Sequence, residues 1–318
     1  MRRVAERRVR SQEPSTRGAD MHIGMVGLGR MGGNMRARIE SAGHTVIGYD
    51  TNPEISDVPS IAELVAALPE AGRVVWIMVP AGQPTRSVIE ELAERLGEGD
   101  LVIEGGNSYY RDDQDNAAML AERGIGYLDA GISGGVWGRE YGYGTMVGGS
   151  PEDVERVMPI FDALRPEGPR EEGFVHAGPV GAGHFTKMVH NGIEYGLMQA
   201  YAEGYEIIAS RSDLVPDVAA VLRAWQRGTV VRSWLLELLV DALEDDPGFA
   251  GIDDYAADSG EGRWTLEEAI DNAVPAPTIA AALFARFASR QEQSPAMKAI
   301  AALREEFGGH ATRRADER

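Results

Sequence analysis

In GAGHFTKMVHNGIEYG, residues 181–196, an amine, an amide and a carboxylic acid stand at Lys187, Asn191 and Glu194, four and then three residues apart. On a helix turning about 100° per residue, Asn191 lies at about 40° from Lys187, Glu194 at about −20° and His190 at about −60°. Val189, Ile193 and Leu197 gather on the opposite side, and Gly192 and Gly196 lean towards it. One face is polar and chemically mixed, the other apolar or bare. A lysine desolvated on such a face can be neutral and act as a general base. A lysine and a glutamate at this spacing also occur as a plain solvated stripe. Against that stand the glycines, each of which weakens a helix by about 0.5–1 kcal/mol relative to alanine. That cost is reasonable where a neighbouring element must approach closely, so the pattern predicts a buried helix.

Such a helix needs a scaffold to aim it. From Met21 to about Gly178, short apolar runs (HIGMV, TVIGYD, RVVWIMVP, DLVIEGGN, GYLDAGI, TMVGG, FVHAG) alternate with helical stretches such as PTRSVIEELAERL and PEDVERVMPIFDAL. This rhythm implies a mainly parallel sheet covered by helices, with room for antiparallel strands late in the order. After Gly181 only helical patterns continue, over 183–210, 215–244, 264–273, 275–291 and 295–306.

The first strand runs directly into Gly27-Leu28-Gly29-Arg30-Met31-Gly32 at the mouth of a helix. Gly27 permits a tight turn, Gly29 lets backbone amides approach a pyrophosphate, and Gly32 lets the helix pack close to the sheet. Strand TVIGYD ends in Asp50 at nearly the separation expected of a carboxylate that binds the adenosine ribose. Thr51 and Asn52 follow it, so no arginine stands ready for a 2′-phosphate, and NAD is expected over NADP. Val79 and Pro80, at the end of RVVWIMVP, and the following Ala81 complete the expected cofactor site together with Asn107. The fold class expected is α/β: an N-terminal Rossmann-type doubly wound, mainly parallel sheet followed by an all-α C-terminal domain. Residues 1–20 are expected to be a disordered Arg-rich tail, 21–180 the dinucleotide-binding domain, and 181–318 an all-helical domain.

Two glycine-rich loops should meet the helix at the carboxyl ends of the strands. EGGNSYYRD offers Asn107 and Ser108, and GISGGVWGREYGYG offers Ser133 followed by Gly134 and Gly135, whose amides suit a carboxylate or polyhydroxyl ligand. The nearby tryptophan and tyrosines are expected to pack rather than to stack on a ligand.

Composition narrows the partners. The formal charge of −19 argues against nucleic-acid binding. No apolar run approaches the roughly 20 residues that cross a bilayer. The chain has no cysteine, which excludes disulfides, thiolate metal sites and cysteine nucleophiles and fits a reducing cytoplasm. Residues 1–20 carry six Arg against three acidic residues, a poor match to a targeting peptide.

GLGRMGGN, GGNSYYRD, ISGGVWGREYG, GAGHFTKMVHNGIEYG and FGGH together resemble the motifs of decarboxylating 6-phosphogluconate dehydrogenases in their short bacterial form, over roughly residues 21–310. The HNGIEY extension separates the chain from the wider β-hydroxyacid dehydrogenases, which share the glycine loop and the Lys-x-x-x-Asn pair. The resemblance implies that Lys187 removes the C3 hydroxyl proton while hydride passes to the nicotinamide. The β-keto acid then loses CO2 without a metal, and Glu194 protonates C1 of the enediol to give ribulose 5-phosphate. It implies substrate contacts from Asn107, Ser133, Gly134, Gly135, His190 and Asn191. For the phosphate of this sugar acid it implies Tyr195, Arg286, Arg304 and His310, the last two reaching a neighbouring subunit's site in a homo-oligomer, dimer or tetramer. One departure stands out. Where long-form enzymes have KGTGKWT, this chain has SGEGRWT, so Ser259 and Glu261 replace a lysine and a threonine that hold phosphate, with Arg263 as a possible substitute. The rival readings are a β-hydroxyacid dehydrogenase acting on a smaller unphosphorylated acid, and a non-catalytic dinucleotide-sensing module.

Overall fold

The computed structural model describes residues 20–308, 311 and 312. The tail at 1–19 and His310 lie outside the described residues. The chain parts into two compact units between Lys187 and Met188.

The first unit runs β1 (His22–Val26), α1 (Arg30–Ser41), β2 (Thr45–Tyr49), α2 (Ile61–Ala67), β3 (Val74–Ile77), α3 (Gln83–Ala93), β4 (Leu101–Glu104), α4 (Tyr110–Ala121), β5 (Gly126–Ser133), α5 (Gly138–Tyr141), β6 (Gly144–Gly149), α6 (Pro151–Arg156), α7 (Met158–Leu164) and β7 (Phe174–Gly178). The seven apolar runs become one sheet of order β2-β1-β3-β4-β5-β6-β7. Its first five strands are parallel, β6 is antiparallel to β5, and β7 is parallel to β6. Every residue of β3 and β4 is buried, as expected of strands covered on both faces. Along β3 the side chains alternate. Val74 and Trp76 join the cluster that contains Met35, Ile39 and Phe161 of α1 and α7. Val75 and Ile77 join the one that contains Leu64, Ile89 and Leu120 of α2, α3 and α4.

The run PEDVERVMPIFDAL forms two helices rather than one. Pro159 has no N–H to give Glu155, and the helix breaks at Val157, whose φ of −102° and ψ of 11° leave the helical region.

The remaining helices are α8 (Ala182–Ala209), α9 (Val218–Trp225), α10 (Trp234–Asp245), α11 (Glu261–Asp271), α12 (Pro277–Ser289) and α13 (Pro295–Gly308). The expected helix 215–244 is also two. Asp217 caps α9 through Ala220 N–H and Ser233 caps α10 through Leu236 N–H, and between them Gly228 turns with φ +80°. Leu222, Leu236, Val240 and Leu243 form one helical core; Tyr195, Ala282 and Leu283 form another. Among the described residues no helix is long and apolar enough to cross a membrane.

Helix α8 is not buried in the way its apolar pattern suggests. Ile193 is 54% and Leu197 44% exposed, whereas Met188 and Tyr195 are 2% and 5%. The buried stripe follows Met188, Gly192 and Tyr195, because a bare glycine admits a neighbour that a branched side chain would hold off. A Cβ at Gly192 would stand 2.7 Å from Thr265 Cγ2. At Gly183 it would meet two strand carbonyls, Met146 O at 2.5 Å and Asp129 O at 2.6 Å. Gly183→Ala is therefore expected to destabilise the protein by roughly 1–2 kcal/mol, an overpacking penalty that exceeds the gain in helix propensity. Gly196→Ala, whose Cβ would lie an ordinary 3.4 Å from Thr278 Cγ2, should be neutral or slightly stabilising. Urea midpoints of the two variants test the contrast.

Candidate active site

Because β2 and β3 flank β1 on opposite sides, the sheet's topological reversal falls between β1 and β3, the place where open α/β sheets take ligands. The loop after β1 is shaped by its glycines. Gly27 has φ +95°, and a Cβ there would strike Met78 O at 2.5 Å; one at Gly32 would strike Gly27 O at 2.0 Å. Gly29 has nothing within 4 Å of its virtual Cβ, so its backbone faces open space. Helix α1 begins without a side-chain cap or an acidic residue in its first turn, which leaves its leading amides to an anionic ligand.

Asp50, just past β2, accepts Leu28 N–H on Oδ2 at 2.7 Å and Asn52 N–H on Oδ1 at 2.9 Å. The carboxylate thus ties the glycine loop to the neighbouring strand end and keeps lone pairs for a ribose hydroxyl. Leu28 is buried over Gly48, Met31 is half-buried and Arg30 exposed. Val79, Pro80 and Ala81 follow β3, with Pro80 O held by Thr85 Oγ1 at 2.9 Å. This cradle fits an extended diphosphate-linked ligand.

Asn107 is exposed after β4, and Ser133 is half-buried at the end of β5. Gly134 and Gly135 turn with φ +137° and +54°. Trp137 and Tyr141 are 44% and 58% exposed, contrary to the expectation that the aromatics here pack; Tyr143 alone of the three is buried, against Gly138. Lys187 is partly buried, and its Cβ lies so close to β5 that a Cβ on Gly131 would stand 2.4 Å away.

Further along α8, His190 Nδ1 lies 3.1 Å from Asn191 Oδ1 and 3.9 Å from Glu194 Oε2. The side chains of His190 and Glu194 are 43% and 39% exposed, which leaves them open to a ligand. In the second unit the Arg286 guanidinium lies 3.6 Å over the Tyr195 ring, and Ser259 N–H donates to the Tyr195 hydroxyl at 3.3 Å. Arg263 is committed to Asp258, with Nε to Oδ2 at 2.6 Å. Glu261 is 2% exposed and accepts Ser259 Oγ at 2.6 Å. Arg304 is exposed on α13.

Sequence reasoning missed a buried polar cluster in the first unit. His184 Nδ1 lies 2.8 Å from Asp113 Oδ2 and His184 Nε2 lies 3.5 Å from Glu104 Oε2. Tyr127 donates to Asp113 Oδ1 at 2.8 Å. Asp129 accepts Gly181 N–H and His184 N–H at 2.7 and 2.8 Å, capping α8. The signal was present as acidic residues inside the apolar runs LVIEGG and YLDAG. Glu104, Asp113 and His184 are also metal-ligand types, their donor atoms lying within 4.8 Å of one another.

Burial pulls the His184 imidazole down, but the Asp113 and Glu104 carboxylates outweigh it and raise it from 6.5 to about 10. Burial raises the Glu104 carboxyl against the pull of His184, and raises Asp129 despite His184 and two backbone donors. Burial, then Asp113 and Glu104, raise the Tyr127 phenol well above its usual value. A raised value means stability that is complete below the unfolded pKa and lost as pH rises through the folded one. For His184 that window runs from 6.5 to about 10, and the two carboxyls act in the same sense at lower pH. The gap in melting temperature between the protein and His184→Gln should be widest on the acid side and close as pH approaches that upper limit.

Sheet topology, a glycine loop opening onto a helix N-terminus, and a helix bearing lysine, histidine, asparagine and glutamate define the dinucleotide-binding dehydrogenase class. Residues 22–166 match the family described as the NAD binding domain of 6-phosphogluconate dehydrogenase, and residues 183–318 match the 6-phosphogluconate dehydrogenase C-terminal domain. The chain belongs to the 6-phosphogluconate dehydrogenase family. It is 39% identical to the NAD(+)-dependent, decarboxylating 6-phosphogluconate dehydrogenase of Haloferax volcanii, over 93% of this chain and 100% of that one. It is 37% identical to the NADP(+)-dependent, decarboxylating enzyme of Bacillus subtilis, over 85% of this chain and 62% of that one. Among solved structures, 6-phosphogluconate dehydrogenase of Plasmodium falciparum superposes with a TM-score of 0.72 at 27% identity, over 93% of this chain and 67% of that one.

Proposed function

We propose that the protein oxidatively decarboxylates 6-phosphogluconate to ribulose 5-phosphate and CO2 with NAD as oxidant, as a cytoplasmic homo-oligomer. The observation that carries this is the single unbroken helix α8, on which Lys187, His190, Asn191 and Glu194 share one face and His190 lies within reach of both Asn191 and Glu194. In this reading Gly27, Leu28, Gly29, Arg30, Met31, Gly32, Asp50, Val79, Pro80, Ala81 and Asn107 hold the dinucleotide, whose nicotinamide accepts the hydride from C3 when bound. Lys187 takes the C3 hydroxyl proton and, once protonated, polarises the resulting ketone, so that the electron pair of the breaking carboxylate bond is received as an enolate. Glu194 then delivers the proton that completes the product. His190 and Asn191 orient the hydroxyls, with Ser133, Gly134 and Gly135 at the carboxylate. Tyr195 and Arg286, with Arg304 and His310 from a neighbouring subunit, take the phosphate.

Comparing CO2 release from 6-phosphogluconate with oxidation of 3-hydroxyisobutyrate tests this assignment; no activity on the former removes it. The second reading, a smaller unphosphorylated acid, is favoured by one feature. The 259–265 segment, at the start of α11, offers a buried carboxylate at Glu261 and an Arg263 already paired with Asp258, which makes it a poor anion holder. For the cofactor, Asp50 would place a negative charge against a 2′-phosphate, so kcat/KM should favour NAD. Asp50→Ser should shift the NAD/NADP ratio by at least about tenfold towards NADP, the equivalent of roughly 1.4 kcal/mol. A lower KM for NADP than for NAD in the unaltered protein would reverse the assignment.

A further inference from the structure

Glu104, Asp113, Asp129 and His184 are almost wholly removed from water, where ionisable groups are rarely retained without partners or chemistry. The mechanism above gives them no part. Their connections nevertheless run to the two segments of the first unit that carry it. Glu104 ends β4, and its Oε1 accepts the N–H of Gly106 at 2.8 Å, immediately before Asn107. Asp113 stands in the first turn of α4, just beyond the same loop. His184 lies between the two carboxylates. Its Nδ1 bonds Asp113 at 2.8 Å, and its Nε2 faces Glu104 Oε2 at 3.5 Å. Neither Nε2 nor Oε2 has a hydrogen-bond partner, so their contact is an ion pair and not a hydrogen bond. One imidazole therefore braces both ends of the loop that presents Asn107.

His184 also belongs to the first turn of α8, one turn before Lys187. Its own N–H is held by Asp129 of β5 at 2.8 Å, and two residues further along that strand Gly131 receives the Lys187 Cβ. The Asn107 loop and the Lys187 turn thus hang from a single frame of charged groups, joined by hydrogen bonds at Asp113, Asp129 and Gly106 and by an ion pair between His184 and Glu104. The hydrogen-bonded joints have defined directions, which apolar packing lacks, and misplacing a reacting group by about 1 Å can cost on the order of a hundredfold in rate.

We propose that Glu104, Asp113 and His184 are positioning residues that hold Asn107 and Lys187 in register with each other. The inference rests on the functional reading above. Turnover of 6-phosphogluconate by the unaltered protein is the separate control for that reading.

The test uses the full chain with Glu104→Gln, His184→Gln and the double variant, at a temperature where circular dichroism shows all three folded. With 6-phosphogluconate deuterated at C3, kcat should fall by about 10- to 100-fold while KM moves less than about threefold. The primary isotope effect should rise as hydride transfer becomes the slow step. The double variant should lose no more than the worse single one, since the two side chains form one joint. Amide exchange should quicken at Gly106 and in the first turn of α8 in both single variants, a readout that needs no substrate. Unchanged kcat and isotope effect in folded variants, with only the melting temperature lowered, would overturn the proposal. So would unchanged exchange at Gly106. A stoichiometric metal retained by the unaltered protein and lost in His184→Gln would overturn it as well, because those atoms would then be ligands.

Discussion

Lys187→Met is expected to abolish product formation while leaving NAD binding within about threefold of the unaltered protein, with kcat lower by at least about a thousandfold. Methionine is the informative replacement because it keeps an unbranched stem. Lys187 Cβ sits directly against β5 at Gly131, so a branched substitute would disturb the strand and confuse a lost base with a lost fold. Methionine removes the amine alone. Lys187→Arg should not restore activity, since a guanidinium does not give up its proton at any useful pH. Single-turnover formation of NADH, NAD binding by calorimetry, and the melting temperature together decide the matter. A methionine variant with kcat within tenfold of normal would place the base elsewhere.

Glu194→Gln is expected to lower kcat by about a hundredfold or more, the range in which a positioned general acid acts. It should leave CO2 release in the first turnover far less affected, because in the proposed mechanism the acid is needed only after the carboxylate has gone. The side chain is 39% exposed and lies 3.9 Å from His190 Nδ1, so the amide can be accommodated without a packing loss. The sharper readout is stereochemical. In D2O the unaltered protein should place deuterium on one face of C1 of ribulose 5-phosphate. The variant, releasing an enediol to be protonated by solvent, should label both faces. One-face labelling at normal kcat in the variant would remove Glu194 from the role.

Much of this protein could be read before any tertiary structure. Seven apolar runs separated by helical stretches became seven strands of one sheet, because a buried parallel strand needs an almost continuous apolar stretch. The three glycines of the first loop each met the close approach or open space foreseen for them, since a missing Cβ is a local property. Helix breaks were harder to see. Pro159 and Gly228 interrupted helices whose apolar period ran on past them, and caps at Asp217 and Ser233 compete with that period over only one or two residues.

Lys187, Asn191 and Glu194 share a face by helical spacing alone, and that much belongs to the sequence. Which side of α8 is buried does not. It was settled by Thr265 meeting Gly192 and by Arg286 stacking on Tyr195, contacts between residues 73 and 91 positions apart in the chain. The Glu104–His184–Asp113 joint belongs there too. A strand end, a helix start and a second helix start had to be brought together before three scattered polar residues became one buried set. Periodicity records what a single element can bury, whereas a charge kept from water depends on partners that only the folded chain supplies.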